Sequence, residues 1–272
     1  MNLKSIALFQ NKIWQFYKEN ERIFAWREHI TPYNVVVSEI MLQQTQTIRV
    51  VDKFNEWIKK FPTWVDLAQA TELQVLQAWQ GLGYNRRGLA LHKIAQIVVQ
   101  DYDSKLPEDP AILIKFPHIG PNTAASICAF AFNHPVTFIE TNIRTVFSHE
   151  FFPGKTEISD HDLLLLIKQT VDKKNPRAWY YALMDYGNYL KKSLKNINSA
   201  SKHYTKQSRF KGSKREVRGQ IVKLLTEKNM PEQELLEKIS SCLAHNKNDA
   251  SVVIEDLIKE KIIKQKKDLL FL

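Results

Sequence analysis

The sequence predicts a mainly α-helical protein, with an all-α core of two helical lobes over residues 1–190 and a small C-terminal domain. In the core, apolar residues recur at three- and four-residue spacing, for example over 6–17 and 50–59, as on one face of a helix. Prolines fall between such segments, where they begin or end helices. Strand-like alternation is scarce before the C-terminus, which favours a core built from helices.

Residues 214–272 are predicted to form a winged-helix-like domain. The pattern indicates three short amphipathic helices over 217–225, 232–239 and 250–260. Two β-prone runs follow in 262–272, interrupted by Lys266, Lys267 and Asp268. Three helices and a terminal hairpin are the plan of a winged helix, a type of domain that binds DNA in some proteins and mediates protein contacts in others. The charge of this domain is close to neutral, which slightly favours protein contacts.

The composition argues against a membrane protein and against a disulfide-rich one. The 272 residues are 44% hydrophobic, but they contain no apolar run of the roughly 20 residues that span a bilayer. The first residues lack the apolar region of a secretory signal. Cys128 and Cys242 are far apart and without metal-ligand spacing, so we expect two buried, reduced thiols. These features predict a cytoplasmic monomer, associated with the nucleoid in a bacterium.

The net charge of +10 is concentrated in one segment, which we call the basic band. Residues 191–218 contain ten Lys and Arg residues and one acidic residue, Glu216, whereas the segments on either side are almost neutral. Tyr204 and Phe210 lie among the basic residues. Such a band suits contact with a polyanion, because phosphate contacts dominate the energy of nucleic-acid binding. The alternative is a solvated linker, which we place over 191–213.

Residues 114–125 read IKFPHIGPNTAA and indicate a helix-hairpin-helix. A hydrophobic residue and Pro117 precede a tight turn, and a new helix opens after Gly120. Backbone amides at such a turn and at the following helix N-terminus bind a DNA phosphate without reading sequence. An ordinary junction between two helices is the alternative. The expected contact residues are His118, Gly120, Asn122 and Thr123.

Four further segments carry a family resemblance. They read FAWR at 24–27, YNVVVSEIMLQQTQ at 33–46, QGLGY at 80–84 and FIETNIR at 138–144. In this order and spacing around the hairpin, they closely resemble the MutY-type adenine-DNA glycosylases of the helix-hairpin-helix superfamily, over about residues 10–190. The resemblance implies a base-excision repair enzyme that flips an adenine out of a duplex, where it is mispaired with 8-oxoguanine or guanine, and hydrolyses its N-glycosidic bond.

The resemblance implies a pair of catalytic carboxylates. Glu39 matches the acid that protonates adenine at N7, and its apolar neighbours should raise its pKa. Glu140 stands where the family has an aspartate, which stabilises the positive sugar from the opposite side. Asn142 matches a residue that orients water or binds the sugar. Glu39 on a helix surface and Glu140 as a helix N-cap are the structural alternatives.

Asn122 distinguishes two classes within the superfamily. The resemblance places it where bifunctional relatives have a lysine that forms a Schiff base with the sugar and then cuts the strand. An amide cannot attack C1′ in this way. We therefore expect a monofunctional glycosylase that leaves an abasic site.

The resemblance also assigns residues that hold the base and the duplex. An adenine pocket is expected to contain Trp26, Arg27, Asn122 and Asp185. Tyr84 is expected to act as a wedge that replaces lost base stacking, unless it is buried in the core. The remaining expected DNA contacts are Gln43, Gln44, Arg86, Arg87, Lys191 and Lys192. For the two arginines, exposed charge without a DNA role is the alternative.

Two departures from the family pattern limit what the resemblance implies. The family usually has four cysteines after the segment matching 181–190, and none stands there in this chain, so we expect no iron–sulfur cluster and no other cofactor. The basic band begins at that point and is expected to contact DNA instead. The C-terminal domain by which the family reads 8-oxoguanine is also replaced, which leaves the partner base open.

Two other functions therefore stay open at this point. One is a glycosylase of the same fold for thymine or uracil opposite G, and the other is a non-catalytic DNA-binding protein. The LQQTQ segment after Glu39 favours adenine. The presence of both carboxylates argues against a non-catalytic protein.

Overall fold

A computed structural model of the chain describes residues 3–155, 157–194, 209–242 and 247–272. The mainly α fold predicted from the sequence is confirmed in these residues. The helices of the first part of the chain are α1 (Leu3–Asn20), α2 (Ala25–Glu28), α3 (Pro32–Leu42), α4 (Thr47–Lys60), α5 (Trp64–Gln69), α6 (Glu72–Trp79), α7 (Arg86–Asp101) and α8 (Pro110–Leu113). The elements that follow are α9 (Pro121–Phe132), α10 (Thr141–Phe151), α11 (Asp160–Thr170), α12 (Pro176–Ser193), α13 (Lys214–Glu227), β1 (Met230–Pro231), α14 (Glu232–Cys242), α15 (Lys247–Lys259), β2 (Lys264–Lys266) and β3 (Leu269–Phe271).

The chain forms two compact units, and each contains two separate segments. Unit 1 comprises Met1–Glu39 and Pro107–Lys206, and unit 2 comprises Ile40–Leu106 and Gln207–Leu272. This grouping differs from the linear division into 1–190, 191–213 and 214–272 that the sequence suggested. Residues 195–208, which include most of the predicted linker, lie outside the described residues.

Unit 1 is organised around α12, which packs against α1 and α10. Its buried Trp179 meets Phe9 of α1 edge to face, with ring centroids 5.9 Å apart. At Gly187, α12 comes so close to the start of α10 that an added Cβ would lie 2.3 Å from the carbonyl oxygen of Asn142. Only glycine therefore permits this approach, which places the last turn of α12 beside the residues that open α10.

In unit 2, α13, α14 and α15 enclose a separate apolar core together with a small antiparallel sheet. The strand order is β1-β3-β2, and Leu270 of β3 pairs with Met230 on one side and Gln265 on the other. The three helices and the terminal hairpin predicted from the sequence are present, whereas β1 was not predicted. Cys242 was expected to be buried but is exposed, because it ends α14 at the surface; Cys128 is buried as expected.

The C-terminal helices of unit 2 are fixed to its N-terminal segment. Leu89 of α7 packs against the apolar core of α13–α15. Arg86 and Arg218 both pair with Glu260. Partial burial acts to raise the pKa of Glu260, but the bonds from the two arginines outweigh it and lower the pKa to about 2. Unit 2 is therefore one packed body built from distant parts of the chain.

None of the helices in the described residues is both long enough and apolar enough to cross a membrane.

Candidate active site

Glu39 lies on α3 in an apolar stretch of that helix. Val36, Val37 and Ile40 are completely buried, whereas Glu39 itself keeps partial exposure. Burial of the carboxyl raises its pKa to about 7; the bond from the Ser126 hydroxyl and the charge of Arg27 act in the opposite direction, and the charge of Glu140 adds to the increase. Desolvation thus outweighs the stabilising contacts, and the group is poised to hold a proton near neutral pH.

The hydroxyl of Ser126 on α9 holds the Glu39 carboxyl in place. Its oxygen contacts Glu39 Oε2 and also lies 3.0 Å from the carbonyl oxygen of Thr123. A hydroxyl has one proton to donate. When Glu39 is ionised, that proton goes to the carboxylate; when Glu39 is protonated, the carboxyl can donate to Ser126, which then donates to Thr123. The carboxyl therefore keeps a partner in both protonation states.

Glu140 is the N-cap of α10. Its Oε1 accepts hydrogen bonds from the backbone N–H of Asn142 at 2.8 Å and of Ile143 at 3.0 Å. Its Oε2 accepts from the side-chain amide of Asn142 at 3.2 Å. The N-cap alternative considered from the sequence is thus correct as to structure. It does not exclude a catalytic role, because the charge of Glu140 is close enough to raise the pKa of Glu39.

The side chain of Asn122 connects the hairpin to the segment before α10 by a hydrogen bond. Its Oδ1 accepts a hydrogen bond from the backbone N–H of Ile139, at 3.2 Å. Ile139 directly precedes Glu140. Asn122, which is exposed, therefore helps to set the position of the second carboxylate.

Asp185 on α12 is buried and pairs with two arginines. The Nε of Arg22 lies 2.6 Å from Asp185 Oδ1, and both terminal nitrogens of Arg27 bond the carboxylate, at 2.9 and 3.0 Å. The guanidinium carbon of Arg27 lies 4.3 Å from the ring centroid of Tyr181 and 5.1 Å from that of Phe24. The ion pair with Asp185 and the cation–π contacts with the two rings hold Arg27 in one orientation.

Trp26 packs against Phe24, one of the aromatic residues of this cluster. It is 5% exposed and stacks on Phe24, with ring centroids 4.7 Å apart and planes within 5°. Phe24 is half-buried and also contacts Arg27. Trp26 was expected to line the adenine pocket; it packs against Phe24 of this cluster, and its role in a pocket stays a prediction.

The helix-hairpin-helix spans α8 and α9. His118, at the turn, has a φ of 59°, in the left-handed region that favours glycine, where a side chain introduces strain. Gly120 has a φ of −88° and is the N-cap of α9, with Pro121 as the first helical residue. The first turn of α9 follows at once, with Thr123 half-buried. The tight turn and the helix start that the sequence predicted are therefore present, and phosphate binding there stays a prediction.

In unit 2, the loops after α3 and before α7 carry the predicted wedge residues. Gln44 and Tyr84 both have left-handed backbone conformations, with φ of 53° and 50°. Gln43 is half-buried and Gln44 is exposed. Tyr84 is 42% exposed, so the alternative of a tyrosine buried in the core is wrong. The Arg215 guanidinium at the start of α13 lies 3.5 Å from the Tyr84 hydroxyl.

The structure contradicts the expectation that Arg87 reaches a DNA phosphate. Arg87 is 4% exposed, and burial lowers its pKa to about 10. Its guanidinium donates to backbone carbonyls of both predicted wedge loops and to a hydroxyl. The acceptors are the carbonyls of Ile40, Met41, Gln43, Leu82 and Gly83 and the hydroxyl of Thr45. Arg87 therefore holds the two loops in shape.

Arg86, the neighbouring residue, is exposed but paired with Glu260. A phosphate would have to compete with that carboxylate for its guanidinium.

Lys191 and Lys192, at the end of α12, face different environments. Lys191 is half-buried, and its ammonium donates to Asn142 Oδ1 at 2.7 Å. The expectation of a direct DNA contact for Lys191 is thus corrected, because its charge is turned toward the start of α10. Lys192 is exposed, as a phosphate contact requires.

Three residues of the site were missed from the sequence. They are Ser126, which contacts Glu39, Arg22, which also pairs with Asp185, and Tyr181. Burial raises the pKa of the Tyr181 hydroxyl to about 12, and the charges of Arg27 and Glu39 also act on it. A usable signal existed for Ser126 alone, since it is an isolated hydroxyl in the buried run of α9. Among the described residues, no group of three or more His, Cys, Asp and Glu side chains could hold a metal ion.

Comparison with known proteins identifies the family. Residues 37–169 match the model of the HhH-GPD superfamily base excision DNA repair proteins. The adenine DNA glycosylase of Mycobacterium tuberculosis is 37% identical over 132 residues, which cover 48% of this chain and 43% of that protein. The adenine DNA glycosylase of Rattus norvegicus is 31% identical over 198 residues, 68% of this chain and 38% of that protein. The chain thus spans less than half the length of these two relatives.

Solved structures show the same fold. A thermostable thymine-DNA glycosylase superimposes with a TM-score of 0.62 at 23% identity, over 68% of this chain and 86% of its own. Endonuclease III in a trapped covalent intermediate with DNA gives a TM-score of 0.59 at 16% identity, over 70% of this chain and 87% of its own. The match of residues 37–169 to the family model, together with the adenine DNA glycosylases among the relatives, shows that the chain belongs to the HhH-GPD superfamily of base excision DNA repair proteins.

Proposed function

We propose that the protein is a monofunctional DNA glycosylase of base excision repair that removes adenine mispaired with 8-oxoguanine or guanine. The proposal rests on the carboxyl group of Glu39. Burial raises its pKa to about 7, and the charge of a second carboxylate, Glu140, adds to this increase. Two carboxyl groups held in different protonation states are what the hydrolysis of a glycosidic bond requires. The names of the most similar curated relatives support adenine as the base.

In the proposed reaction, Glu39 gives its proton to N7 of a flipped adenine. The bond between C1′ and N9 then breaks, its electron pair leaves with the neutral base, and positive charge develops on the sugar. Glu140, ionised and fixed by its bonds to Asn142, stabilises that charge. Water adds to C1′ and its released proton restores the acid form of Glu39. The net change is hydrolysis to free adenine and an abasic site.

The cluster around Arg27 is proposed to hold the base. A purine can lie against Phe24, which keeps exposure, while the Arg27 guanidinium, held by Asp185 and Tyr181, presents a fixed cation beside it. Asn122 supplies no amine for a Schiff base, so the strand is expected to stay intact after base removal.

Double-stranded DNA is the proposed partner, and the protein is proposed to act as a cytoplasmic monomer. The hairpin turn, the exposed Lys192 and the Tyr84 loop provide backbone amides, charge and an aromatic wedge suited to a distorted duplex. The chain has two cysteines, one buried and one exposed, whereas iron–sulfur clusters are typically held by four thiolates. The residues present do not fit such a cluster, and we propose that the protein works without one.

The proposal is tested with duplexes that carry a single A·8-oxoguanine, A·G, T·G, U·G or hypoxanthine pair. After incubation with the protein, half of each sample is treated with alkali to cut abasic sites. Cleavage of the adenine strand after alkali alone is expected. Cleavage without alkali would contradict the monofunctional reaction, and release of thymine or uracil instead would reassign the base. Tight binding without cleavage of any duplex would indicate a non-catalytic protein.

The pH dependence of excision follows from the raised pKa of Glu39. Because the acid form of Glu39 is the active one, the single-turnover rate constant should fall about tenfold per pH unit above about pH 7. Rates measured from about pH 5 to about pH 9 with enzyme in excess check this result, with DNA affinity measured at each pH as the control. A rate that stayed constant up to about pH 9 would show that another group, or no acid, limits the reaction.

A further inference from the structure

Lys191 occupies an unusual place for a residue of the basic band. The close approach of α12 to α10 at Gly187 brings the last turn of α12 against the residues that open α10. The Lys191 side chain is half-buried there, and its ammonium donates to Asn142 Oδ1 at 2.7 Å. The next residue, Lys192, is exposed. Lys191 is therefore directed toward the interior of unit 1 and away from the solvent that its neighbour faces.

The bond from Lys191 determines which way the Asn142 amide points. An ammonium can only donate, so the oxygen of the amide must face Lys191 and its NH₂ group must face the other way. That NH₂ group donates to Glu140 Oε2 at 3.2 Å. A chain of two hydrogen bonds thus runs from the ammonium through one amide to the carboxylate. Without the cation, the amide could turn over and present its oxygen to Glu140, which would be repulsive.

We propose that Lys191 is a positioning residue for the glycosylase reaction: it fixes the Asn142 amide as a donor to Glu140 and so holds that carboxylate in one orientation. This proposal rests on the function proposed above for Glu140. Lys191, the first residue of the basic band, would thus hold the carboxylate of Glu140 in place.

Other charges near Lys191 do not replace it. Arg144 and Arg22 act on it electrostatically, but each is engaged elsewhere, Arg144 with Asp160 at 2.7 Å and Arg22 with Asp185 at 2.6 Å. Burial lowers the pKa of Lys191, whereas the negative charge of Glu140 raises it.

The test compares single-turnover excision on an A·8-oxoguanine duplex by the wild type, Lys191→Met and Lys191→Arg. Lys191→Met keeps a side chain of similar length but removes the donor to Asn142 Oδ1, so Glu140 loses its fixed partner and the rate constant should fall about tenfold or more. DNA affinity should change little. Lys191→Arg keeps the cation and should largely restore the rate constant.

Lys168→Met is the matched control, because it removes an exposed lysine from the last turn of α11 in the same unit. It should leave the rate constant unchanged. A wild-type rate constant in Lys191→Met, or an equal loss in Lys191→Arg, would overturn the proposal.

A second measurement keeps this result separate from the test of the proposed function. The side-chain NH₂ resonances of Asn142 are recorded by NMR in the DNA-free wild type, in Lys191→Met and in Lys191→Arg. A change in these resonances in Lys191→Met, reversed in Lys191→Arg, supports the positioning role even if no duplex is cleaved. Unchanged resonances refute it even if adenine is excised. Thermal melting followed by circular dichroism verifies that each variant is folded.

Discussion

Glu39→Gln is expected to lower the single-turnover rate of adenine excision by about a thousandfold while DNA affinity changes little. The substitution keeps the size of the side chain and a contact for the Ser126 hydroxyl, but it removes the transferable proton. General acid catalysis contributes about 10²- to 10⁴-fold, and Glu39 is the only group proposed to protonate the leaving base. The rate is measured with enzyme in excess on an A·8-oxoguanine duplex, and affinity by fluorescence anisotropy on the same duplex.

Glu157→Gln is the matched control, since it removes an exposed carboxylate from the same unit. Its rate should equal that of the wild type. If Glu39→Gln retained more than about a tenth of the activity, Glu39 would not be the acid. If instead it lost affinity as strongly as rate, the effect would lie in binding and the mechanism would need a different proton donor.

The second large effect is expected on stability. Asp185→Asn should lower the free energy of unfolding by about 3 kcal/mol, because it removes the negative charge from a buried group that two arginines share. The side chain of Arg27 is 6% exposed, so its cation cannot turn to water without disturbing the stack with Tyr181. Chemical denaturation followed by tryptophan fluorescence measures the change.

Asp160→Asn provides the comparison for that measurement. Its bond to Arg144 is similarly short, at 2.7 Å, but both side chains are only half-buried. Solvent screens such a pair more than the pairs of Asp185, so this variant should lose about 1 kcal/mol, well below the loss in Asp185→Asn. Equal losses in the two variants would mean that burial does not determine the strength of the Asp185 pairing.

The sequence was informative where function depends on local pattern. The family resemblance assigned Glu39 as the acid, and the apolar run around it predicted the raised pKa that the structure gives. The hairpin could be located because proline and glycine signals lie close together in the chain. Both features are set by neighbours within a few residues, which is the range over which sequence patterns are read.

The partners of charged side chains were not predictable in the same way. Arg86 and Arg87 are adjacent and chemically identical, yet one is exposed and pairs with Glu260, while the other is buried among backbone carbonyls. The difference arises because successive residues on a helix point about 100° apart, and only the tertiary packing of α7 decides which direction is inside. Lys191 and Lys192 differ for the same reason.

The division of the chain into two compact units also could not be predicted from the sequence pattern. Periodicity predicted a helix over 50–59 and the three helices of the C-terminal domain, but not that they belong to the same compact unit. That association depends on single contacts between distant residues, such as Leu89 with the apolar core of α13–α15 and Gln77 with the backbone of Thr226, at 3.1 Å. Contacts of this kind leave no repeating signal along the chain.

The two-segment construction of unit 2 has a consequence for biosynthesis. Ribosomes add about 5 to 20 residues per second, so the hundred residues of unit 1 between the two segments delay the second one by about 5 to 20 s. During that interval the nascent chain carries Leu89 and Arg86 without the partners that later cover them. The helices that support Tyr84 are thus completed only late in translation, and an interrupted chain would present an apolar surface to chaperones and proteases.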